Sequence, residues 1–197
     1  MKYDAIVFDF DGTLVDSITI KEKAFKEMYS KFGLDPDIRL GGKSRYEKFR
    51  YWHGMIGIKL TDDELKKIAK QYSDKIVDDV IKAPYIKGAK KFLEKYKGDL
   101  YLVSGTPQHE LEYITNSRKM YYFKEIHGGY DEKYKIIKDI AQRHNYKKIL
   151  FVGDDINDFD NAIKSDSDFI GIGGGTAFPD NIFTVNNFDE LEQKVKE

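Results

Sequence analysis

Ala5-Ile6-Val7-Phe8 is an unbroken apolar run that ends abruptly in Asp9-Phe10-Asp11-Gly12-Thr13. A run this short, with no polar position to turn toward water, suits a strand buried on both faces, as in a parallel sheet covered by helices above and below. The same figure returns at Asp99-Leu100-Tyr101-Leu102-Val103, near Ile126, at Ile149-Leu150-Phe151-Val152 and at Phe169-Ile170-Gly171, with a last strand at Ile182-Phe183-Thr184-Val185. Helical stretches separate these runs, near 87–97, from about 107, at 133–144, near 157–165 and from about 188. Strands alternating with helices imply right-handed crossovers, so the predicted fold class is α/β, a doubly wound, Rossmann-like parallel sheet with helices on both faces.

One block breaks the alternation. Ala24, Phe25, Met28, Tyr29 and Phe32 have the spacing of an amphipathic helix over about 19–32, stopped by Gly33. Thr61 with Glu64 forms a capping box, and Leu65, Ile68, Ala69, Tyr72, Ile76, Val77 and Val80 continue a helical stripe as far as Pro84. Arg39 to Ile58, between them, reads as loops and a short helix. The block at 17–84 is therefore expected to be a small inserted α-helical domain, with 1–16 and 85–197 forming the α/β core.

Bulk properties narrow the partners. Lys+Arg 33 against Asp+Glu 34 gives a formal charge of -1, so no positive field exists to gather nucleic acid or an anionic membrane. The chain has no cysteine, which excludes disulfides, thiolate metal sites and a thiol nucleophile. No run approaches the ~20 apolar residues of a membrane span, and the N-terminus lacks the pattern of a signal peptide. These observations are read as a cytoplasmic protein with a small-molecule partner.

In a doubly wound sheet, ligands sit beyond the carboxyl ends of the strands, so the polar residues that follow each apolar run should converge. That rule collects Asp9 and Asp11, then Ser104-Gly105-Thr106, then Gly153-Asp154-Asp155-Ile156-Asn157-Asp158, with Lys133 opening the helix between the last two. Carboxylates crowded into one crevice repel one another unless a cation intervenes, and magnesium suits an all-oxygen site that keeps a position open for a phosphoryl oxygen. Gly171-Ile172-Gly173-Gly174-Gly175 lacks the strand-to-helix dinucleotide pattern and reads as a surface turn.

Asp9-Phe10-Asp11-Gly12-Thr13-Leu14-Val15 resembles the opening motif of the haloacid dehalogenase superfamily of phosphohydrolases. Ser104 after Leu102-Val103 matches the second motif, Lys133 before Ile136, Ile137 and Ile140 the third, with Lys135 the other candidate, and Gly153 to Asp158 the fourth. The resemblance implies that Asp9 attacks phosphorus and forms an aspartyl phosphate, and that Asp11 serves as acid and then base. It implies Mg2+ held by Asp9, Asp154 and the backbone carbonyl of Asp11, with Asp155 and Asp158 orienting ligands or waters behind them. Ser104, the Gly105 amide and Lys133 would hold the phosphoryl oxygens. The insert resembles the small cap of the phosphoglycolate-phosphatase-like branch, and Lys43, Arg45 and His53, beside Trp52, are its candidate contacts to a small phosphate ester with an acidic or polyhydroxylated leaving group.

Three other functions share parts of this pattern. A dehalogenase needs no metal and lacks an acid equivalent to Asp11. A sugar-phosphate mutase has the same core residues and differs in the cap. A receiver-type signalling module carries an acidic cluster on a doubly wound sheet, without a large helical insert or an Asp-x-Asp-Gly-Thr sequence.

Overall fold

The computed structural model describes residues 2–38, 44–129, 132–173 and 178–196. Six parallel strands form one sheet in the order β3-β2-β1-β4-β5-β6: β1 Ala5–Phe8, β2 Asp99–Ser104, β3 Glu125–Gly128, β4 Ile149–Gly153, β5 Asp168–Ile172 and β6 Thr184–Val185. Chain order reverses between β1 and β4, which opens a crevice at their carboxyl ends.

The apolar runs are buried on both faces, as their composition requires. Ala5, Val7, Tyr101, Val103 and Phe151 pack on one side against Ile137 and Ile140. Ile6, Phe8, Leu102 and Val152 face the other side, against Phe92, Leu93, Phe188 and Leu191. The covering helices are α4 Ala89–Lys95, α5 Gln108–Ser117, α6 Lys133–His144, α7 Ile156–Lys164 and α8 Phe188–Lys196.

Between β1 and α4 the described residues form three more helices: α1 Ile18–Ser30, α2 Arg45–Met55 and α3 Asp62–Lys82. Capping boxes start both α2, with Ser44 and Glu47, and α3, with Thr61 and Glu64. Their common centre is aromatic. Phe25 stacks on Phe49 with centroids 5.5 Å apart, and Tyr72 meets both rings edge-on at 5.9 and 5.6 Å. The two chain segments that join these helices to the rest run side by side, with a Val15–Tyr85 bridge and an Asp16 N–H to Pro84 carbonyl bond of 2.9 Å. Arg118, after α5, grips the end of α3 by donating to the carbonyls of Val80, Ile81 and Ala83.

Two boundaries differ from the sequence reading. The last strand is only Thr184–Val185, because Ile182 is taken up in a turn closed by its N–H to the Pro179 carbonyl at 2.9 Å and is buried without joining a ladder. The helix expected near 87–97 is confined to Ala89–Lys95, after Gly88 in the left-handed region at φ 83. Of the glycine-rich turn, only 171–173 are among the described residues, and Gly171 and Ile172 end β5.

Candidate active site

β1 delivers Asp9 directly: its N–H still bonds the Val152 carbonyl at 3.0 Å, so the side chain projects from the tip of the central strand. The chain then turns tightly, with Leu14 and Val15 N–H both donating to the Phe10 carbonyl. Gly12 makes this turn at φ +80, and a Cβ placed there would stand 2.7 Å from Asp154 Cγ. Only glycine lets the β1 loop and the β4 tip approach so closely. The Thr13 hydroxyl donates to Asp154 Oδ1 at 3.2 Å and ties the two loops together.

β4 ends in Gly153, where a Cβ would come within 2.6 Å of Asp158 Cγ. Asp155 caps α7 by accepting the Asn157 N–H at 2.9 Å. The first turn of α7 thus folds back and brings Asp158, 3% exposed, against the strand tip. Asp9, Asp154 and Asp158 each offer a carboxylate oxygen within 4.8 Å of the others, and all three residues are buried.

Lys133, the first residue of α6, spans this group. Its Nζ donates to Asp9 Oδ1 at 2.6 Å and to Asp158 Oδ1 at 2.7 Å. Lys135 points elsewhere, paired with the exposed Glu132. Burial pushes the Asp9 carboxyl up to about 7, against the attraction of Lys133 and with repulsion from Asp158 and Asp11 adding to the rise. The same two carboxylates outweigh burial at Lys133 and hold its ammonium above the ordinary lysine range. Three buried carboxylates whose oxygens approach one another this closely form an all-oxygen donor set that fits a hard divalent cation.

Asp11 turns its carboxylate the other way. Ser17 Oγ donates to Oδ1 at 2.6 Å, while Oδ2 accepts from Thr106 Oγ1 at 2.9 Å and from Lys21 Nζ. Burial alone raises this carboxyl, but Lys21 and the two hydroxyls outweigh it and bring it below the usual range. β2 contributes Ser104, buried and accepting the Thr106 N–H at 3.1 Å, followed by Gly105 at the surface of the crevice.

A cavity of about 200 Å³ opens over these groups and is roofed by Ile18, Phe25, Ile38, Arg45, Lys48 and Tyr72 from the inserted helices. Arg45 lines it, and its guanidinium is engaged: it donates to both oxygens of Glu110 at 2.6 and 2.8 Å and to Ser73 at 2.8 Å, 4.9 Å over the Tyr72 ring. His53 does not line the cavity, which corrects the expectation that it faces substrate. Its Nδ1 lies 2.8 Å from the Tyr29 hydroxyl and 2.9 Å from the Phe49 carbonyl, inside the aromatic packing of the insert. Trp52 packs beside Tyr29 in the same cluster. Lys43 lies outside the described residues.

Lys21, Ser17 and Glu110 belong to the site and did not stand out in the sequence. For Lys21 a signal existed: stepping back three and four residues from Ala24 and Phe25 on the buried stripe of α1 lands on it, a lysine on an apolar face.

A family model described as haloacid dehalogenase-like hydrolase matches residues 6–172. The 6-phosphogluconate phosphatase of Escherichia coli strain K12 is 28% identical over 137 residues, which cover 66% of this chain and 61% of that protein, so the match spans less than two thirds of this relative. The mouse phosphoserine phosphatase is 23% identical over 197 residues, covering 87% of this chain and 82% of the relative. The crystal structure of a protein from Haemophilus somnus 129pt, described as a predicted phosphoglycolate phosphatase, superposes with a TM-score of 0.77 at 20% identity, over 100% of this chain and 99% of the other. At that identity the superposition bears on the fold.

Proposed function

The chain belongs to the haloacid dehalogenase-like hydrolases, and on that premise we propose that it is a magnesium-dependent phosphatase that hydrolyses a small phosphate monoester through a phosphorylated Asp9. The observation that carries this reading is the buried group of Asp9, Asp154 and Asp158 with Lys133 bridging two of its members. The relatives named phosphatases support it.

Asp9 is the nucleophile. Its carboxylate oxygen bonds to phosphorus in line with the ester oxygen, whose bond breaks as it takes a proton from Asp11. Water then attacks the phosphorus, Asp11 takes the water's proton, and the bond to Asp9 opens to free inorganic phosphate. Lys133, the Ser104 hydroxyl and the Gly105 amide bind the phosphoryl oxygens and offset the charge that moves onto them. Asp9, Asp154 and the Asp11 carbonyl would hold Mg2+, with Asp158 and Asp155 orienting them. When bound, the ion would supply positive charge and Lewis acidity toward the phosphoryl group.

The inserted helices, residues 17–84, serve as a lid on a core made of 1–16 and 85–197, closing over the ester to exclude water. The 200 Å³ cavity suits a small leaving group, which we take to be acidic or polyhydroxylated. The relatives' substrates, 6-phosphogluconate and phosphoserine, are of that kind.

Inorganic phosphate release from p-nitrophenyl phosphate, and from a panel of sugar phosphates, phosphoglycolate and nucleotides, is the test. Turnover is expected with Mg2+ and is expected to disappear when EDTA removes the metal and to return when Mg2+ is restored. Turnover undiminished by EDTA contradicts the metal assignment, and no turnover of any ester contradicts the phosphatase reading.

A further inference from the structure

Lys21 is a buried side chain for which the reaction set out above has no use. It is 7% exposed, on the stripe of α1 that also buries Ala24, Phe25 and Tyr29. From the inserted helices its Nζ crosses to the sheet, where it donates to Asp11 Oδ2 and, at 2.8 Å, to Thr106 Oγ1. Thr106 and Ser17 complete a ring of hydrogen bonds that reaches both Asp11 oxygens.

These contacts tie the Asp11 carboxylate both to the inserted helices, through Lys21 and Ser17, and to the loop after β2, through Thr106. A buried ion pair is a poor source of net stability, because removing both charges from water costs about as much as their attraction returns. What such a pair fixes is orientation. Here the orientation fixed is that of the group that must accept a proton from water in the second half of the reaction.

We propose that Lys21 is a positioning residue for opening the phosphorylated Asp9: it fixes the orientation of the Asp11 carboxylate toward the attacking water, so that seating the inserted helices and aligning Asp11 are one event. This rests on the phosphatase reading. In the step concerned, the water oxygen bonds to phosphorus as the bond from phosphorus to Asp9 breaks. The electron pair returns to Asp9, and the water's proton goes to Asp11.

The test uses p-nitrophenyl phosphate with Mg2+, because nitrophenolate leaves without needing a proton and the first step is therefore spared. Stopped-flow absorbance separates the first turnover from the steady rate. In Lys21→Met the ratio of burst rate to steady rate is expected to rise about 10-fold or more over that of the wild type, since an aligned general base is worth at least that much. Lys21→Arg, which keeps the cation, is expected to stay near the wild-type ratio. Thr106→Val removes a second support of Asp11 without removing a charge and is expected to raise the ratio less; it provides the same reading if Lys21→Met does not fold. Both phases slowing together, with the ratio unchanged in either variant, overturns the role of Lys21 and leaves the phosphatase reading standing. Absence of nitrophenol from the wild type overturns the phosphatase reading itself.

Discussion

Asp9→Asn is expected to abolish phosphate release, a fall of about 10⁴-fold or more in kcat, while the protein stays folded. The amide cannot attack phosphorus, yet its oxygen still accepts from Lys133 Nζ, which stands 2.6 Å from Asp9 Oδ1. Because burial, with repulsion from Asp158 and Asp11, holds this carboxyl up at about 7, losing its charge removes a destabilising contact. The melting temperature without metal should therefore be unchanged or raised. Steady-state turnover with thermal unfolding followed by circular dichroism reads both effects. Near-normal turnover in this variant contradicts the nucleophile assignment.

Lys133→Met acts on stability as well as on rate. It leaves Asp9 and Asp158, 7% and 3% exposed, facing each other without the cation that now bridges them. Breaking a buried pair by removing one partner typically costs ~3–5 kcal/mol, and loss of a preorganised cation at the phosphoryl oxygens costs ~10²–10³ in kcat. The stability loss should depend on pH with a definite sign. Asp9 titrates at about 7 in the fold against an ordinary 3.8, so the stabilisation from holding its proton is complete below 3.8 and disappears as pH rises through 7. Without Lys133 the folded value rises further. Urea unfolding in EDTA should accordingly show a larger deficit for Lys133→Met at pH 8 than at pH 5. Equal midpoints for variant and wild type at pH 8 contradict the bridging role.

The fold was legible where burial on both faces forced a simple pattern. The runs at 5–8, 99–103, 149–152 and 169–171 became β1, β2, β4 and β5 because a strand inside a parallel sheet has no polar position to confuse it with a surface element. Ile182 shows the limit of the same rule: it is buried, but in a turn rather than a ladder, and hydrophobicity reports burial without reporting pairing. Asp9, Asp154 and Ser104 were legible because they follow such runs directly, and Lys133 because it opens the stripe of α6.

The groups that join the inserted helices to the sheet were not legible. Arg45 and Glu110 are 65 residues apart and meet only when α2 and α3 close on α5. Lys21 meets Thr106 across 85 residues. No local spacing encodes either pairing. His53 failed for a related reason, since a histidine beside a tryptophan reads equally as a ligand contact or as packing, and the Phe25, Phe49 and Tyr72 cluster decides for packing.

The same three-dimensional approach explains two glycines whose spacing alone says little. Gly12 and Gly153 are the points where the β1 loop meets Asp154 and the β4 tip meets Asp158, and a side chain at either would push a carboxylate out of the group. The acidic cluster therefore depends on residues that carry no charge.

In the proposed reaction, one carboxylate at the tip of β1 becomes covalently phosphorylated while its neighbours are held around a cation. Acid quenching of the Mg2+-loaded enzyme within its first turnovers, followed by peptide mapping by mass spectrometry, measures this directly. A labile phosphoryl group is expected on Asp9 and is expected to be absent in Asp9→Asn. A phosphoryl group on Asp11, Asp154 or Asp158, or steady phosphate release with no phosphorylated peptide at any quench time, contradicts it.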